Sequence, residues 1–131
     1  MNPFQKERDQ ILQNKKDYAG GCINLANLIV NEINDPESNV HNLIKKEYGS
    51  YKSICLPKSV FPSRIAYHLD MLYNYPYILD SDSADIVWNI LKSVPNVFIY
   101  IRRKPSDSYW DRICSLFSNT YIDTYIEVFI C

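Results

Sequence analysis

The chain is 131 residues long, with 47% hydrophobic and 22% charged side chains. That balance fits one globular domain and excludes a disordered or fibrous chain. Fourteen basic against fifteen acidic groups leave a net charge of −1, so no overall positive field marks a general polyanion binder. Only three glycines are present, which leaves little material for a phosphate-cradling loop or for a fold of many tight turns.

The N-terminal residues are charged and carry no apolar run of signal-peptide type, and no stretch has the length of a membrane span. Cys22, Cys55, Cys114 and Cys131 form neither a CxxC pair nor a Cys/His cluster. Buried, reduced thiols in a cytoplasmic protein are the expectation, with no metal and no cofactor.

Residues 3–50 read as helical throughout. Phe4, Ile11 and Tyr18 share a face of a polar first helix, which Gly20-Gly21 should end or bend. Ile23, Ala26, Ile29, Val30 and Ile33 make the next apolar stripe. Asp35-Pro36 offers a cap and first-turn proline for a third segment through Val40, Leu43, Ile44 and Tyr48, with Gly49 as its stop.

After Tyr51 the pattern becomes mixed. Residues 52–56 form a short strand, and Pro62-Ser63 can open a helix carrying Ile65, Leu69 and Leu72. An aromatic stretch around Tyr75, Pro76 and Tyr77 follows. Residues 80–94 then read as a helix capped by Asp82 or Ser83, with Ile86, Val87, Ile90, Leu91 and Val94 inward. Residues 97–101 are a continuous apolar strand. Ser106–Ser108 opens a helix with Trp110, Ile113, Leu116 and Phe117 inward, and residues 121–131 alternate as a final strand.

Strand, helix, strand with short joints predicts a right-handed crossover, with residues 97–103 parallel to 121–130. The expected fold class is α/β: a small, mainly parallel sheet of about three strands flanked by helices. It forms a single domain over 1–131, in which 51–131 is the core and 1–50 a helical extension.

No P-loop, dinucleotide fingerprint, nucleophile elbow or zinc-protease motif occurs, and His41 and His68 stand apart from any catalytic pattern. An enzyme is not expected. Asp80, Asp82 and Asp85 form the sharpest acidic cluster. It is not a calcium loop, because no turn glycine follows and the twelfth position from Asp80 is Leu91. Capping explains one or two of these carboxylates. The third, in a segment also holding Tyr75 and Tyr77, points to an acidic, aromatic surface that docks into a basic cleft. Arg102-Arg103-Lys104 is the matching basic cluster at the end of the central strand, a conceivable anion site or a solvated strand end. Residues 38–75 also permit a winged-helix-like DNA-binding regulator, with Ser63, Arg64, Tyr67 and His68 at the front of a recognition helix, although the linking segment is long for that motif.

Residues 51–131 resemble the barstar family of intracellular ribonuclease inhibitors. The local match is Asp85-Ile86-Val87-Trp88-Asn89-Ile90-Leu91, similar to that family's Asp-x-x-Trp-Asp-x-Leu helix, followed by an apolar strand, a further helix and a terminal strand. Asn89 stands where the family usually has the acid that dominates nuclease binding, and the first fifty residues have no counterpart. The resemblance implies a small cytoplasmic immunity protein that occludes the active site of a bacterial toxin, a nuclease by analogy, encoded beside it. Asp80, Asp82, Asp85, Tyr75, Tyr77 and Asn89 would make the contact, without membrane or nucleic acid as partner. A phage or viral protein that blocks a host defence factor would carry the same surface chemistry.

Overall fold

The computed structural model describes residues 2–105 and 122–131. Its elements are helix α1 (Pro3–Asn34), α2 (Asn39–Lys45), strand β1 (Ser53–Pro57), a 3₁₀ turn (Lys58–Val60), α3 (Ser63–Ala66), α4 (Leu69–Tyr73), α5 (Tyr75–Ile78), α6 (Ser81–Leu91), β2 (Val97–Pro105) and β3 (Ile122–Ile130). The helix expected around Trp110, Ile113, Leu116 and Phe117 lies outside the described residues.

The sheet is antiparallel, not parallel. Its order is β1-β3-β2, and β3 runs against both neighbours, with Leu56 and Ile101 each opposite Ile126. β1 and β2 are therefore parallel to each other but separated by β3. The crossover expected between residues 97–103 and 121–130 is overturned by that antiparallel pairing; the described helices α3 to α6 lie between β1 and β2 instead. β2 ends and β3 begins at the same end of the sheet, with Pro105 opposite Ile122. A crossover between them would have had to return to the opposite end.

Alternation along β3 sets the inner face. Thr124, Ile126, Val128 and Ile130 are buried beside Leu56, Val97 and Ile99, and the helices pack on that side. α1 supplies Cys22, Leu25, Ala26, Ile29, Val30 and Ile33 to the same core, and α2 adds Val40 and Ile44. Burying a large aliphatic side chain is worth about 1.5–3 kcal/mol, so the second half of α1 and α2 are integral to the core of 51–131.

Local signals were partly overruled. α1 passes through Gly20-Gly21 without a break, because its C-terminal half is held by the burial of Cys22, Leu25, Ala26, Ile29, Val30 and Ile33 in the core. A glycine pair costs the helix about 2 kcal/mol relative to alanine, which the packed stripe of Cys22–Ile33 offsets. Asp35 closes α1 rather than opening α2; its Oδ1 accepts from Glu37 N, and Ser38 caps α2 through His41 N. The stretch 62–73 divides at Tyr67-His68 into two short helices. Gly49 (φ 81°) and Tyr51 (φ 58°) turn the chain into β1 in the left-handed region.

Candidate acidic docking face and its surroundings

α6 begins at Asp80, whose Oδ1 accepts from Ser83 N at 2.8 Å. That bond to the backbone amide holds its carboxyl below the ordinary range. The cap is thus Asp80 rather than Asp82 or Ser83, and Asp82 sits in the first turn, where the helix dipole favours it.

Capping frees the rest of the cluster. Asp82, Asp85, Ile86 and Asn89 follow i, i+3, i+4, i+7 spacing and are exposed together. Directly upstream, Tyr77 and Ile78 are exposed at 86% and 53%. Two expectations change here. Tyr75 is 8% exposed and belongs to the core, so it offers no contact surface. Ile86, expected inward, is 47% exposed, because only Val87 and Leu91 of this helix are fully covered. Trp88 is 39% exposed and lines a hollow with Tyr75, Pro76, Leu91 and Tyr100.

A cleft of about 500 Å³ opens beside this face. Leu12, Lys15, Lys16, Tyr18 and Ala19 of α1 form one wall, and Ile78, Leu79, Asp80 and Ser83 the other. At its floor the Tyr18 hydroxyl donates to the Met71 carbonyl at 2.6 Å. Burial and the neighbouring Cys22 push the Tyr18 phenol up, and burial likewise raises the Cys22 thiol. Neither group is a reactive nucleophile in that state.

The basic cluster is dispersed by strand alternation. Arg102 and Lys104 point to the outer sheet face, where Arg102 binds Glu127 at 3.1 Å and lies over Tyr100, and Lys104 lies over Tyr125. Arg103 points to the opposite face, over the Tyr73 ring, with its Nε donating to Thr124 Oγ1 at 3.3 Å. Thr124 donates onward to Asp70, which also receives Lys58 Nζ at 3.0 Å. Burial alone would raise the Asp70 carboxyl, but Thr124, Lys58 and Arg103 outweigh it and hold it low. The three cations thus serve two faces and do not converge as one anion site.

Arg64, Tyr67 and His68 are exposed, but they straddle the break between α3 and α4, with Arg64 3.6 Å from Glu32. They do not lie on one continuous recognition helix. Cys22 is buried as expected, whereas Cys55 and Cys131 are exposed. Among the described residues no His, Cys, Asp and Glu side chains gather into a metal-holding group, and no helix is long and apolar enough to cross a membrane.

Comparison with protein-family models, curated proteins and solved structures gives no match. The residues beyond the acidic cluster that shape this site are Ile78, Ile86 and the α1 wall of the cleft. The amphipathic pattern assigned Ile86 to the core, and only the packing of α1 reveals how narrow the covered stripe is.

Proposed function

We propose that the protein is a stoichiometric inhibitor that docks the exposed face of α6 into a basic cleft on another protein, without catalysis and without a cofactor. A bacterial toxin, specifically a nuclease, is the target class. One observation carries the reading: Asp82, Asp85, Ile86 and Asn89 share an exposed helix face just after Tyr77 and Ile78, while none of these side chains is needed to cap the helix. Acidic groups around apolar and aromatic anchors suit a cleft built for a polyanion, where carboxylates take the place of phosphates. The nuclease as target comes from the resemblance of Asp85–Leu91; it draws on that helix and on the element order, since the sheet is antiparallel.

Mechanistically, long-range attraction would accelerate encounter, and Tyr77, Ile78 and Ile86 would supply the desolvated contact. The experiment is a titration of nuclease activity of the toxin encoded beside this gene. The expected result is complete loss at one equivalent. Replacing Asp82→Asn together with Asp85→Asn should weaken inhibition at least tenfold, about 1.4 kcal/mol, and flatten its salt dependence. Unchanged inhibition by that double variant would overturn the acidic-docking reading.

A further inference from the structure

Another hollow, of about 290 Å³, lies between the second half of α1 and the α3–α4 pair. Leu25, Leu28 and Met71 line it with apolar surface; Leu25 is buried and the other two are half-buried. Asn24 of α1, Arg64 of α3 and His68 at the start of α4 are exposed and bring polar side chains to its mouth. Gly21 completes the wall. A Cβ there would come to 3.3 Å from both Sδ and Cε of Met71, so the bare backbone is what leaves Met71 its place beside the hollow. A glycine inside a helix costs about 1 kcal/mol relative to alanine, and this one stands where a side chain would crowd the wall.

We propose that this hollow binds a small amphipathic monocarboxylate, its aliphatic or aryl tail on Leu25, Leu28 and Met71 and its carboxylate on Arg64. Of the lining residues only Arg64 carries a fixed charge. Glu32, one turn beyond Leu28 and outside the lining, approaches the Arg64 guanidinium at 3.6 Å. That separation attracts but exceeds hydrogen-bonding distance. The planar guanidinium therefore keeps N–H donors for a carboxylate, which it can hold through two parallel bonds. The Asn24 amide and an imidazole N–H of His68 add neutral donors at the same mouth. One cation with Glu32 beside it suits a single negative charge and disfavours a multiply charged phosphate. The small volume selects in the same direction, admitting a short chain or one ring rather than a nucleotide. The unbranched Met71 side chain can adapt to either tail.

This inference goes beyond the inhibitor reading and does not rest on it, since the hollow shares no lining residue with α6 or with the 500 Å³ cleft. The test is titration of the full chain with sodium hexanoate, followed by the amide chemical shifts of Gly21, Asn24 and His68. The expected result is a saturable shift with a dissociation constant of about 1 mM or tighter. Hexan-1-ol, which lacks the charge, and acetate, which lacks the tail, should each bind at least about tenfold more weakly. Arg64→Met should weaken hexanoate binding at least about tenfold. Asn24→Trp, which fills the mouth, should abolish it. Both positions are exposed, and thermal melts of the two variants should match that of the wild type. No saturation below about 20 mM hexanoate would overturn the proposal. So would hexan-1-ol binding as tightly as hexanoate, or hexanoate binding indifferent to both variants. Nuclease titration reads the inhibitor proposal separately, because neither substitution falls on the α6 face.

Discussion

The two halves of α1 are one uninterrupted helix with one apolar register, yet they differ in almost every physical respect. From Cys22 to Ile33 the stripe is buried in the core; from Phe4 to Leu12 the same stripe is exposed. Helical periodicity is thus set by sequence alone, while its energetic worth depends on what covers it. A residue at an identical position on the wheel can be decisive in one half and neutral in the other.

That contrast can be broken most directly at its buried end. Ile29, fully buried, should cost about 2–5 kcal/mol on Ile29→Ala, read by urea denaturation. Tyr18 sits at the junction, and Tyr18→Phe should cost about 1 kcal/mol through the lost bond to the Met71 carbonyl. The glycine pair sharpens the boundary further. A Cβ on Gly20 meets nothing within 4 Å, whereas one on Gly21 comes to 3.3 Å from Met71. Gly20→Ala should therefore stabilise by about 0.4–1 kcal/mol and Gly21→Ala by less, measured as paired melting temperatures.

Smaller still is the pH effect of two carboxylates, Asp80 on the opposite wall of the cleft and Asp70 beside Lys58 and Thr124. Asp80 and Asp70 both have folded-state carboxyls held below the ordinary range. Their contribution is fully present above the unfolded pKa of about 3.9 and is lost as pH falls through the folded value. Melting temperature should decline below that pH, and Asp80→Asn, which can still cap, should shallow the decline. At the other extreme, Ile11→Ala in the uncovered half should stay within about 0.5 kcal/mol of wild type in dilute solution. A cost like that of Ile29→Ala would mean this half of α1 is covered after all.

Much of the site was legible. Asp80, Asp82 and Asp85 stood out as more acid than a helix start requires, and the structure divides them as capping chemistry would, one carboxylate to the backbone and two to solvent. Tyr75 and Ile86 were misassigned for one reason: both lie at the margin of a packed stripe, where a side chain's fate depends on which helix arrives and at what angle. The alternation of β3 was legible, since Thr124, Ile126, Val128 and Ile130 are the buried positions, although the strand is one residue shorter at each end than 121–131.

What the sequence determined by itself was what has a local cause: the approximate strands, most apolar positions and the acidic surplus near Asp80, whereas the continuity of α1 through Gly20-Gly21 was not among them. What only the tertiary structure decided was pairing and cover. The inner face of β3 can lie beside a neighbour running in either direction, and nothing in its alternation encodes which. The insertion of β3 between β1 and β2 made the sheet antiparallel, and the packed core covered only the second half of α1, because strand partners and helix contacts are fixed by distant residues rather than adjacent ones.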